Sequence, residues 1–319
     1  MNVREIFELA IEQGIDNDPR GRAKVEKLMK KRQSEYAELT ETKREEYDVD
    51  KLTNPYSDSA IHYDNGKGIK RVLVGIDIGV EEILLAKELE RQGKKVDLVI
   101  AHHPEGKALA NLHEVMDIQS DVLERAGMPG NIAEKVLADR IMEVSRSVAP
   151  INHYKAIDAA KILDIPFIGF HTPADNVVWK YIDNLIEKEK PETVGEIIEL
   201  LKAVPEYKAA VKLNAGPMIF SGSEKSRAGK IVVSGMTGGT GGGEKIFEQM
   251  SHYGIGTEIG MHLNEKGRDE AVKHYLNIVI AGHISSDSLG MNLILDELEK
   301  RGIEILACSG LIRHSRILK

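Results

Sequence analysis

Residues 96–104 read VDLVIAHHP, a short apolar run that ends in His102, His103 and Pro104. A run of Val, Ile and Leu this short, closed by proline, has the texture of a strand covered on both faces. The chain around it agrees. RVLVGIDI at 71–78 is a second β-rich run, and VEEILLAKELERQG at 80–93 has helical spacing closed by Gly93. Downstream, DAAKILD leads into IPFIGFHTPADN at 165–176. The alternation returns after residue 229 as KIVVSG, EKIFEQMSHYG, TEIGMHL, GRDEAVKHYL, NIVIAGH, NLILDELEKRG and EILACSG. Strands alternating with helices predict an α/β protein, with mostly parallel strands covered by helices. Two related halves are expected, roughly 71–190 and 229–319. The middle, 176–228, holds the helix-like EIIELLKAVPEYKAAVKL and the polar turn SGSEKSRAGK.

Residues 1–70 differ in texture. Val3, Ile6, Leu9, Ala10 and Gln13 space like one helical face, and Asp18-Pro19 marks a stop or a new start. RGRAKVEKLMKKR, from Arg20 to Arg32, carries seven basic residues and one Glu. It is either a solvated helix face or a surface for anions or an acidic neighbouring subunit. Residues 48–69 read as an irregular connection. The expectation is a helical extension over 1–70, peripheral to an α/β domain over 71–319.

The whole chain has 319 residues, with 51 acidic and 43 basic side chains and a net charge of −8. With 42% apolar and 29% charged residues it can bury a core, which excludes disordered, collagen-like and disulfide-framework classes. The acidic balance argues against a general nucleic-acid binder. Cys308 is the lone cysteine, which fits a reducing compartment. No apolar run approaches the roughly 20 residues that span a bilayer, and the N-terminus has no signal-peptide order. A cytoplasmic protein without membrane contact is expected.

Ligands in open α/β sheets gather beyond the carboxyl ends of strands, and three strand ends here deliver histidine. The first is His102-His103. Adjacent strand residues face opposite ways, so both rings serve one site only where the strand gives way to a loop, as Pro104 suggests. The second is His171-Thr172-Pro173-Ala174-Asp175, and the third is His283-Ile284-Ser285-Ser286-Asp287, each with His and Asp at i and i+4. Singly, each pair also reads as helix capping. Together, neutral imidazoles and carboxylates form a ligand set for Zn, Fe, Mn or Co. Two such ions about 3.5–4 Å apart would bind and deprotonate a water.

Other residues stay open. SGMTGGTGGGEK at 234–245 lies between a strand and a helix, and is neither a Walker loop nor a GxGxxG fingerprint. Gly239, Gly241 and Gly242 therefore form an anion-binding helix start, a simple turn, or an inter-subunit contact. Glu105 is a general base or a solvated loop residue. Asp77 is an acid behind the site or a buried turn aspartate. Among the remaining histidines, His262 is the best site candidate.

These residues resemble the Nif-three-like proteins, often labelled GTP cyclohydrolase I type 2 homologues. The resemblance rests on VDLVIAHHP, GFHTPAD, VVSGMTGGTGGG and IAGHISSDSLG in the family's order, and spans residues 71–312. It implies a dinuclear metal site held by His102, His103, Asp175, His283 and Asp287, with His171 close by. It also implies a ring-shaped homohexamer whose metal sites face an internal cavity. Asp287 stands where the family usually has Glu, one methylene longer, and residues 1–70 lie outside the resemblance. Two functional readings follow. One is a metal-dependent hydrolase acting on an anionic, nucleotide- or phosphoester-type small molecule, with no residue assigned as catalytic. The other is a non-catalytic metal-binding or regulatory ring protein.

Overall fold

The computed structural model describes residues 1–317. Nine strands are present among them: β1 Ser59–Tyr63, β2 Arg71–Gly75, β3 Leu98–Ala101, β4 Phe167–Phe170, β5 Met218–Ser221, β6 Lys230–Gly235, β7 Ile255–Gly260, β8 Asn277–Ile280 and β9 Glu304–Ala307. They form two sheets, ordered β1-β4-β3-β2-β9 and β5-β8-β7-β6. Within each sheet all neighbours are parallel except the edge strands β1 and β5, which run antiparallel to β4 and β8. β3 and β4 are buried along their whole length. That is the environment their uninterrupted apolar runs require.

The order β1-β4-β3-β2 repeats as β5-β8-β7-β6, so the two halves share one plan. Their boundaries fall elsewhere than the texture of the sequence suggests. The first half begins at β1, inside the expected extension, and the second at β5, inside the region read as helix and turn. The last strand, β9, returns to β2 in the first sheet. The physical reason is that β1 and β5 are short edge strands with half-exposed positions, which carry little of the apolar signal that marks buried strands.

Two helices, Thr172–Glu189 and His283–Lys300, follow the equivalent strands β4 and β8. Both lie between the sheets. Val177 and Met291 pack in the core against the first sheet, while Val178, Trp179 and Leu289 pack in the core against the second. Their close approach needs glycine: a Cβ at Gly290 would stand 2.3 Å from the carbonyl oxygen of Ala174.

The N-terminal helix Val3–Asp16 is integral rather than peripheral. Its residues Val3, Ile6, Phe7, Ala10, Ile11 and Ile15 are buried in the first-sheet core, and Gly14 sits against Pro173. The start of the basic helix Arg22–Ala37 is tied to this chain: Arg22 pairs with Asp16 and Glu12, Lys24 with Asp121, and, just before the helix, Arg20 with the buried Asp18. No helix among the described residues is long and apolar enough to cross a membrane.

Candidate metal centre

The carboxyl ends of β3, β4 and β8 meet where the two sheets face each other. The His102 N–H donates to Gly75 and the His103 N–H to Ile76, at 3.0 and 2.9 Å. In a regular strand only alternate N–H groups face one neighbour. Two consecutive donations to the same side show that the chain has turned there, and both rings enter one site, with centroids 5.2 Å apart. The β4 and β8 ends each pass into a helix, so His171 and Asp175, and His283 and Asp287, share a helical face at i and i+4.

His102 Nε2 lies 3.5 Å from Asp175 Oδ1 and 3.5 Å from Asp287 Oδ1. His103 Nε2 and His283 Nε2 each lie 3.6 Å from Asp287 Oδ2. His171 Nε2 lies 3.6 Å from Asp175 Oδ2. These separations exceed good hydrogen-bond lengths. They match the roughly 3.4 Å expected between two donor atoms that share a tetrahedral ion at about 2.1 Å. Both ring nitrogens of His102, Asp175 Oδ1 and both carboxylate oxygens of Asp287 are buried without a hydrogen-bond partner. Buried polar atoms normally find partners, so the donor set fits a cation.

The donors fall into overlapping groups: His102 with Asp175 and Asp287, His103 with His283 and Asp287, and His102 with His103 and His171. Asp287 joins the first two through different oxygens. Asp287 is therefore the central acid, since its two oxygens face different groups. Asp175, the other acid, sits to one side with His171.

The rings are oriented from behind. His103 Nδ1 lies 2.7 Å from Asp77 Oδ1, and His171 Nδ1 lies 2.9 Å from Asp58 Oδ2. A carboxylate only accepts, so each Nδ1 carries the proton and donates, which leaves the Nε2 lone pair facing the site. Asp77 does this from an exposed position. Asp58, fully buried just before β1, also accepts from the N–H and hydroxyl of Thr172 at 3.3 and 2.6 Å. In the sequence Asp58 lies in an Asp-Ser stretch that reads as a turn; only the pairing of β1 with β4 brings it behind His171.

The electrostatics of these side chains follow from burial and from their pairing. Burial lowers His102 to about 4, keeping the imidazole neutral. Burial also acts to lower His171, but Asp175 and Asp58 outweigh it and raise the ring to about 9. Burial raises Asp175 to about 7, against the pull of His171. Asp287 is held well below the usual carboxylate range: burial opposes this, and His102, His103 and His283 around it prevail. Glu105 is pushed up to about 7 by burial, with Asp77 adding to it. It belongs to none of the donor groups.

The glycine loop behaves differently from an anion-binding helix start. Gly239 has a positive φ of 83°, whereas Gly241 and Gly242 do not need one. A Cβ at Gly242 would press on Gln119, Ile246 and Leu137. The loop offers its carbonyls: Gln119 Nε2 donates to Gly238 and Thr240, and Arg140 Nε donates to Gly241. The helix that follows, Ile246–His252, is short and begins beyond the glycines. His262, at the end of β7, stands edge-on to His283 with ring centroids 5.0 Å apart.

A NIF3 superfamily protein from Sphaerobacter thermophilus has a solved structure that matches 98% of this chain and 99% of its own, with TM-score 0.76 and 26% identity. The chain belongs to the NIF3 superfamily. The family fold is shared at lower identity by reduced HcgD from Methanocaldococcus jannaschii, at TM-score 0.50 and 17% identity over 78% of this chain and 87% of that one. A different likeness covers residues 185–295, which match the family described as a conserved region in glutamate synthase. The archaeal-type glutamate synthase [NADPH] of Thermotoga maritima is 31% identical over 104 residues, which is 30% of this chain and 20% of that protein. The chain thus spans about a fifth of the length of the curated relatives it matches.

Proposed function

We propose that this NIF3 superfamily member is a dinuclear-metal hydrolase for a small anionic substrate. The observation that carries the reading is Asp287: a buried carboxylate with both oxygens unpartnered, one facing His102 and the other facing His103 and His283. His102, Asp175 and Asp287 would hold one divalent ion of the Zn, Fe, Mn or Co class, and His103, His283 and Asp287 a second, with His171 beside the first. Such ions, when bound, supply Lewis acidity and a water acidic enough to act as a nucleophile near neutral pH.

The chain's own residues prepare that chemistry. Asp58 and Asp77 fix the tautomers of His171 and His103, and burial keeps His102 neutral. The inter-sheet position withdraws His102, Asp175 and Asp287 from bulk water, which strengthens the field between them and a cation. The same reading extends to assembly, with copies forming a hexameric ring whose metal centres face an internal cavity. Sedimentation velocity tests that part: a hexamer's mass supports it and a monomer's contradicts it. The catalytic part is tested by screening metal-loaded protein against nucleotides and phosphoesters. Turnover that disappears in His103→Ala, with the fold intact, supports a hydrolase. Metal-replete protein inert across the screen favours a metal-binding or regulatory role instead.

A further inference from the structure

A cleft of about 760 Å³ opens beside the metal centre at the carboxyl ends of β6 and β7, a size typical of small-molecule sites. These are the strand ends of the second half that the metal donors leave unused. At its floor lies Glu258 of β7, only 9% exposed. Ser234 donates its hydroxyl to Oε1, and among the described residues the other oxygen has no partner. That oxygen is not fully buried, so it opens to the cleft and can accept from a donor there. Burial raises its pKa, in keeping with that position.

The mouth of the cleft has the opposite character. Arg140 and Lys245 are held by Glu143 and Asp139. Arg146 and Lys266, which also line it, are exposed and in no ion pair among the described residues. Exposed cations of this kind suit a phosphate or carboxylate. Between floor and mouth, Gly241 leaves room against His262, the ring that also meets His283. One side chain thus separates the cleft from the metal centre.

We propose that this cleft binds a small organic anion bearing an N–H donor group, such as a purine mononucleotide, with the donor on Glu258 and the anionic group at Arg146 and Lys266. Its connection to catalysis rests on the metal-centre reading; the binding itself does not. The test is calorimetric titration of GMP, and separately of ribose 5-phosphate, into the metal-loaded full chain. Glu258→Gln, Ser234→Ala and the double variant Arg146→Ala/Lys266→Ala are titrated alongside, each with metal content and melting temperature recorded. GMP should bind saturably, and its affinity should fall at least tenfold in Glu258→Gln and in the double variant, with metal content unchanged. Ribose 5-phosphate should bind more weakly, respond to the double variant, and be unaffected by Glu258→Gln. Should Glu258→Gln fail to fold, Ser234→Ala reads the floor, and a shift in GMP affinity without one for ribose 5-phosphate supports the proposal. No binding of GMP at millimolar concentration, or equal binding in all variants, overturns it. Binding that follows the expected pattern without any turnover supports the cleft while counting against the hydrolase.

Discussion

Replacing Gly290 with alanine should reverse the usual sign of a helical Gly→Ala change. In an unobstructed helix interior the substitution gains about 1 kcal/mol from propensity. Here the added Cβ would stand 2.3 Å from the Ala174 carbonyl oxygen and 2.9 Å from its carbon. Ordinary contact needs about 3.5 Å, so the helices His283–Lys300 and Thr172–Glu189 must part by roughly 1 Å. Overpacking of that kind costs about 1–3 kcal/mol, which translates to a fall in Tm of roughly 2–8 °C in a chain of this size. The displacement also reaches the donors. Asp175 follows Ala174 directly, Asp287 lies one helical turn before Gly290, and both face His102 at 3.5 Å. Metal content should therefore drop along with Tm. The assay is thermal unfolding with and without added metal, paired with elemental analysis. A Gly290→Ala protein as stable and as metal-rich as the parent would refute the claim that this helix crossing sets the centre's geometry.

Removing Asp58 as Asp58→Ala should weaken metal binding about 10–100-fold, as loss of a ring-orienting partner does; competition with a chelator measures it, and unchanged affinity would free His171 of that dependence. Ile6→Ala should cost about 2–5 kcal/mol, and deletion of residues 1–47 should abolish folding, both read by denaturant unfolding; a folded, metal-bound truncation would show the first helix to be dispensable. The pH dependence has a definite sign. Asp175 and His171 have folded pKa values raised to about 7 and about 9, above their unfolded values, so in the metal-free protein their stabilising contribution is present at low pH and lost as pH rises through those values. Metal binding runs the other way, because it needs deprotonated donors. The Tm difference between metal-loaded and chelator-treated protein should thus widen from pH 5 to pH 8, and a constant difference would contradict the assignment.

The sequence made the core of the fold legible because buried parallel strands must be apolar on both faces, as VDLVIA and NIVIAG are. The tandem histidine and the two His/Asp pairs were legible for a related reason: strand ends in an α/β sheet are where side chains converge. What stayed hidden depends on partners distant in sequence. β1 and β5 are edge strands with weak patterning, so the boundaries of the two halves could not be placed. Asp58 becomes significant only once β1 lies against β4. The role of residues 1–16 depends on a surface supplied by the helix Thr172–Glu189. That Asp287 faces both donor groups depends on where its helix begins, which side-chain length in a sequence does not reveal. The glycine loop stayed open in the sequence, since a glycine-rich stretch between strand and helix fits a turn as well as exposed N–H groups; the contacts that distinguish them come from Gln119 and Arg140, about a hundred residues away, which donate to the loop's carbonyls.

The most direct test of the proposed dinuclear centre is the metal stoichiometry of the purified chain compared with Asp287→Ala, by elemental analysis after loading and exhaustive dialysis. Two divalent ions per chain are expected in the parent and loss of both in the variant, since that carboxylate faces donors of both groups, with Asp175→Ala retaining the ion at His103 and His283. A parent chain that binds no metal, or an Asp287→Ala chain that keeps its full complement, would contradict it.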